Sequence, residues 1–191
     1  MMRDKIKDML LENIRVKEEM LRTSITQVMK IAELLIECLR KNGKVIIFGN
    51  GGSASDSQHI AAELVGRFKK ERQGLPAVAI TSNTSILTAL ANDYGYEAVF
   101  SRQIEALAGK NDLAIGISTS GKAKNVAAAI KQASKMGLKT AVLTGSNGAE
   151  LAKLADAALI IPSSSTPRIQ EAHITIAHII CEIAEDTLFQ D

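Results

Sequence analysis

Apolar residues recur at helical spacing from Ile6 to Leu39: Ile6, Met9, Leu10 and Ile14, then Ile25, Val28, Ile31, Ala32, Leu35 and Leu39. That period predicts amphipathic helix, and the length of the stretch predicts a break, with Thr23 or Ser24 as N-cap of the second piece. After "KNG" the pattern changes to short, unbroken apolar runs: "KVIIFG", "AVAIT", "LAIGIS", "TAVLTG" and "AALIIP". They are rich in β-branched residues and mostly separated by helical patterns. Strands that lack polar alternation are covered on both faces, which predicts an α/β fold built on a doubly wound, five-stranded parallel sheet. No repeat, low-complexity tract or linker divides the chain, so residues 1–191 read as a single domain, with 1–42 as an N-terminal helical extension.

Each apolar run ends in small polar residues: "GNGGS", "TSNTS", "STSG", "TGSNG" and "PSSST". Open α/β sheets bind ligands beyond the carboxyl ends of their strands, so these five loops outline the expected site.

Composition narrows the function classes. A chain of 191 residues with 46% apolar content and 3% aromatic, without Trp, buries a core of Ala, Ile, Leu and Val. Lys plus Arg, 23, nearly balance Asp plus Glu, 21, and apart from Lys69, Lys70 and Arg72 the basic residues are scattered, so no nucleic acid partner is implied. Cys38 and Cys181 sit far apart in apolar helical patterns, which predicts buried thiols in a reducing, cytoplasmic setting. "MMRDKIKDML" lacks the apolar core of a secretory signal, and no run approaches the roughly 20 residues that span a bilayer, so no membrane association is expected.

Gly49, Gly51 and Ala54 fit the G-x-G-x-x-A form of the dinucleotide fingerprint at a strand-to-helix junction. A ribose-binding carboxylate is then required about 20 residues on, at the end of the second strand. "AVAITSNTS" ends instead in Thr81, Ser82 and Asn83, and no P-loop sequence occurs. What remains is a loop whose backbone can approach an oxygen-rich ligand, together with Ser118, Thr119, Ser120 and Gly121. These last four read equally as a phosphate cradle at a helix N-terminus or as a cap with a turn.

Beyond the glycines, Asp56, His59, Glu63 and Arg67 fall on one helical face. An imidazole with two carboxylates beside a ligand-binding edge suits metal ligation or proton transfer, although such a stripe on an isolated helix is more often a solvated face. The last helix opens with Thr166 as expected N-cap and Pro167 at its first position, then carries Gln170, His173 and His178. His173 lies about 140° around the helix from His178, so at most one of the two serves a common site.

"GNGGSASDSQHIAAEL", "ANDYGYEAVFSRQIEAL", "GISTSG" and "RIQEAHITIAHII", in this order, resemble the bacterial phosphoheptose isomerases, which are sugar isomerase (SIS) domain proteins. The resemblance covers nearly the whole chain. It implies the SIS fold and a cytoplasmic homotetramer that converts sedoheptulose 7-phosphate to D-glycero-D-manno-heptose 7-phosphate, the first step towards the heptose of the lipopolysaccharide core. It implies one Zn2+ per subunit, with His59, Glu63, Gln170 and His178 as ligands. Implied substrate contacts are Asn50, Gly51, Gly52 and Ser53, Glu63 and Arg67, Asn92 and Asp93, Ser118, Thr119 and Ser120, and Gln170. Catalytic roles fall to Glu63 and His178, with Asp56 as orienting partner of His59 or as a shuttle for a hydroxyl proton. Ala123 departs from the family, where a serine is common and is often assigned to the phosphate; Lys122 is the expected electrostatic substitute. Gln170 and His178 stand eight residues, or about 12 Å, apart on one helix, so either both side chains bend to one metal or a neighbouring subunit supplies one of them. The rival expectation is a non-catalytic SIS-fold protein that binds the replication initiator or senses sugar phosphates.

Overall fold

The computed structural model describes residues 1–189. In chain order the elements are α1 (Met2–Thr23), α2 (Ile25–Arg40), β1 (Val45–Gly49), α3 (Gly52–Val65), β2 (Ala77–Ala79), α4 (Thr84–Tyr94), a 3-10 turn (Tyr96–Ala98), α5 (Ser101–Leu107), β3 (Leu113–Ser118), α6 (Lys124–Lys135), β4 (Lys139–Gly145), α7 (Ala149–Ala152), β5 (Ala157–Ile161) and α8 (Thr166–Leu188). All strand pairings are parallel, in the order β2-β1-β3-β4-β5. Every residue of β1 and β3 is buried, which is why those runs carry no polar alternation.

Alternate side chains of the same strands feed two cores. Val45, Ile47, Leu113, Ile115 and Leu143 pack with α2, α3 and α8 on one face, and Ile46, Phe48, Ala114 and Val142 pack with α5 and α6 on the other. The order reverses at β1, whose neighbours are β2 and β3. That crevice is the switch point at which this topology leaves room for a ligand.

One boundary expectation is corrected, at the start of α8. Of the two N-terminal helices, α2 buries Ile31 and Leu35 at 1% exposure and belongs to the helical layer, whereas α1 buries only Val16 and Met20. The break does fall at Ser24, whose side chain makes no capping hydrogen bond. On α8 the N-cap is Ser165, with Thr166 already helical; the proline sits in the first turn, where its missing N–H costs nothing. No helix among the described residues is long and apolar enough to cross a membrane, and Cys38 and Cys181 are free and buried.

Candidate active site

The glycine loop leaves β1 at the switch point. A Cβ on Gly49 would fall 2.7 Å from the carbonyl oxygen of Ile117 on β3, so only glycine admits this close approach. Gly51, the N-cap of α3, has φ 56° and is strained for any other residue. Gly52 leaves space for a side chain from α8, since a Cβ there would lie 2.1 Å from Gln170 Nε2. Ser53 is buried under the first turn, its N–H donating to the carbonyl of Asn50.

Across the crevice, Asn50 and Asn125 exchange two amide hydrogen bonds of 2.9 Å each. The hydroxyl of Tyr96 donates to Asn50 Oδ1 at 3.2 Å, and the Val126 N–H donates to Asn125 Oδ1. The Asn50 side chain and carbonyl are therefore engaged, leaving its backbone N–H for a ligand. Asn50, Tyr96 and Asn125, with Glu97, Ala123 and Lys124, line a cavity at the N-terminus of α6. Ala123 is the N-cap there and supplies no side-chain cap, so the N–H groups of Lys124 and Asn125 keep their capacity for an anion, while that of Val126 is taken by Asn125 Oδ1. Lys124 is tied to Glu97 at 2.9 Å.

The "STSG" turn lies alongside. Ser118 is buried, and its carbonyl accepts from Thr144 Oγ1 at 2.7 Å. Ser120 is exposed and accepts from the Lys122 N–H at 3.2 Å. Gly121, at φ 67°, packs so closely on Gly148 that a Cβ would meet its Cα at 2.2 Å. Asn92 and Asp93 lie exposed on the last turn of α4, where Asn92 Nδ2 donates to Asp93 Oδ1.

Further along α3, three groups converge. His59 Nε2 lies 3.0 Å from His178 Nε2 and 3.0 Å from Glu63 Oε1, and ligand atoms of all three lie within 4.8 Å of one another. Tetrahedral coordination with bonds of about 2.0–2.2 Å separates donor atoms by about 3.3–3.6 Å, so two imidazoles and a carboxylate at this spacing fit a divalent cation with a position left open. His173, by contrast, is buried at 1% exposure with Nε2 3.4 Å from the Thr144 carbonyl, and burial lowers its pKa to about 4. It is a neutral core histidine.

One expectation about this stripe changes. The helix ends at Val65, so Arg67 leaves the face it was placed on and pairs with Glu71 at 3.8 Å. Asp56 makes no hydrogen bond to His59 among the described residues; its Oδ2 is buried without a partner, and burial raises its pKa while His59 opposes the shift. Gln170 stays two turns from His178, against Gly52. Tyr96, Glu97, Lys124 and Asn125 were not among the expected site residues. The one sequence signal for Asn125 is its place in the first turn of a helix that follows a site loop.

The SIS domain family matches residues 11–145, which sets this sheet and its loops in the class of SIS domain proteins. The chain belongs to the phosphoheptose isomerase family of SIS domain proteins. It is 50% identical over 187 residues to the phosphoheptose isomerase of Thermodesulfovibrio yellowstonii, covering 98% of this chain and 93% of the relative. Among solved structures it resembles the phosphoheptose isomerase of Neisseria gonorrhoeae (39% identity, TM-score 0.92, 97% of this chain and 100% of the other). It also resembles the enzyme of Francisella tularensis (33% identity, TM-score 0.93, 97% and 99%).

Proposed function

We propose that the chain is an aldose–ketose isomerase that converts sedoheptulose 7-phosphate to D-glycero-D-manno-heptose 7-phosphate through a cis-enediol, the entry to the heptose of lipopolysaccharide. The observation that carries this is the convergence of His59, Glu63 and His178 at the helix that the glycine loop opens, in a chain 50% identical to a phosphoheptose isomerase.

The reaction moves one proton from C1 to C2 and one from O1 to O2, with no net redox change. Glu63 and His178, both partly exposed, share the acid and base roles at the two carbons. The phosphate rests on Ser118–Gly121 and the first N–H groups of α6, where the helix dipole favours an anion. Backbone groups of Asn50, Gly51 and Gly52 border the sugar from the β1 side, and Asn92 and Asp93 close it from α4. His59, Glu63 and His178 would hold one zinc ion per subunit, which when bound polarises the substrate oxygens. Because Gln170 lies two turns from this cluster in its own chain, its service as fourth ligand calls for a second subunit. Asp56 takes up a hydroxyl proton, a role that its unpartnered buried oxygen supports.

The subunit works as a homotetramer in the cytoplasm, where both buried thiols stay reduced. Support comes from α1, which exposes Ile6, Met9, Leu10, Ile14 and Leu21, and from an apolar groove between α1, α2 and α8. Incubation with sedoheptulose 7-phosphate, with and without zinc, followed by NMR, is expected to yield the aldose; no conversion in either overturns the assignment. Light scattering should give a tetramer, and a stable, active monomer at micromolar concentration removes both the tetramer and the shared site.

A further inference from the structure

Helix α3 ends at Val65, two residues after Glu63, and its last carbonyls need donors. Arg72 provides them. Its Nη2 donates to the Glu63 carbonyl at 3.0 Å, and its Nη1 donates to those of Leu64 at 2.9 Å and Gly66 at 2.8 Å. Its Nε donates to Glu185 Oε2 on α8 at 2.8 Å, and both side chains are only 2% exposed.

Glu185 in turn accepts from the backbone N–H groups of Phe68 at 3.1 Å, Lys69 at 2.8 Å and Lys70 at 2.6 Å. One buried ion pair thus ties the end of α3, the segment 66–73 and α8 into a single unit. Phe68, carried by that segment, lays its ring against His178, with centroids 5.6 Å apart. The pair therefore reaches Glu63 through its carbonyl and His178 through Phe68.

A buried ion pair is weak evidence for stability, since apolar residues of the same volume often serve as well; what its fixed fork supplies is direction. We propose that Arg72 and Glu185 are positioning residues for the proton-transfer pair, holding Glu63 and His178 in mutual register, with Phe68 as the arm that reaches the imidazole. This rests on the assignment of Glu63 and His178 to proton transfer. A shift of about 1 Å in a reacting group can cost roughly 10²-fold in rate.

The test measures kcat and KM for sedoheptulose 7-phosphate on the full chain and on Arg72→Lys, Phe68→Leu and Glu63→Gln, each beside its melting curve. Arg72→Lys keeps the charge and loses the fork. It should fold with a lower Tm and lose about 10²-fold in kcat per folded molecule, with KM within about twofold. Phe68→Leu leaves the ion pair intact, and should lose about 5–10-fold in kcat together with the ring contact that NMR detects as a Phe68–His178 cross-peak.

A purely structural role lowers Tm and leaves kcat per folded molecule unchanged. Native kcat in folded Arg72→Lys, or in Phe68→Leu, overturns the proposal; if Arg72→Lys does not fold, Phe68→Leu decides alone. Near-native turnover of Glu63→Gln instead overturns the assignment beneath it. An inactive Glu63→Gln beside fully active Phe68→Leu and Arg72→Lys overturns the positioning role only.

Discussion

The two ends of α3 differ in kind. Its N-terminal end faces the crevice with backbone N–H groups and neutral side chains, held by the Asn50–Asn125 amide pair and the Tyr96 hydroxyl. Its later turns carry the ionisable groups His59 and Glu63, set against His178 and backed by the buried Arg72–Glu185 pair. Neutral dipoles bind a phosphate without a charge that must be desolvated, while proton transfer requires groups that change protonation. Gly52 and His59 are about 10 Å apart along the helix. The first end should govern binding and the second the rate.

The largest effect expected is at the rate-setting end. Glu63→Gln keeps the shape and removes the titrating oxygen, so kcat should fall about 10²–10⁴-fold while KM and the melting curve stay close to native. A large rise in KM with little loss of kcat would place Glu63 in binding and erase the contrast.

A smaller effect is expected at the binding end. Ser120 is exposed at the turn, and Ser120→Ala should weaken the phosphate contact by about 1.5–3 kcal/mol, roughly 10–150-fold in KM, with kcat preserved. Calorimetry sharpens the point: the phosphorylated heptose should bind far more tightly than the dephosphorylated sugar, and NAD should not bind at all. Equal affinity for the two sugars would remove the cradle from Ser118–Gly121.

How much of these two ends was legible in the sequence follows from the range of the interactions that make them. The strands and their loops are written locally, because burial of both faces of β1 and β3 forces continuous apolar runs. The spacing of His59 and Glu63 is local as well. The partnership of Asn50 with Asn125 spans 75 residues and that of Arg72 with Glu185 spans 113, and no periodicity encodes either. Helical spacing puts Arg67 on the face of His59 and Glu63, but the helix ends at Val65, before that turn is complete. The amphipathic pattern of α2 says that one face is covered but not by what, so a layer of the sandwich reads the same as an extension. The "AVAIT" run yields only the three residues Ala77–Ala79, as an edge strand with one neighbour, β1.

The smallest effect separates the two ends by acid. Burial alone would raise the pKa of Glu185, but the backbone N–H groups of Lys70, Lys69 and Phe68 and the Arg72 side chain outweigh it, and the folded-state value lies below the ordinary 4.5. A depressed carboxylate contributes stability that is fully present above pH 4.5 and is lost as pH falls through the folded-state pKa. Glu185→Gln has no such group to titrate, so it should melt below the native protein at pH 7, and the gap between them should narrow as pH falls below 4.5. Asp112 and Asp156 are also depressed, but they are common to both proteins and cancel in the difference. For a domain of this size each kcal/mol shifts Tm by about 2–4 °C, so the narrowing amounts to a few degrees. Hydrogen exchange should locate it, with the N–H groups of Phe68, Lys69 and Lys70, which donate to Glu185, losing protection in acid before that of Val126, which donates to the Asn125 amide. A gap that stays constant from pH 7 to pH 3.5, or simultaneous loss of protection at both ends, would mean that the carboxylate does not brace the rate-setting end.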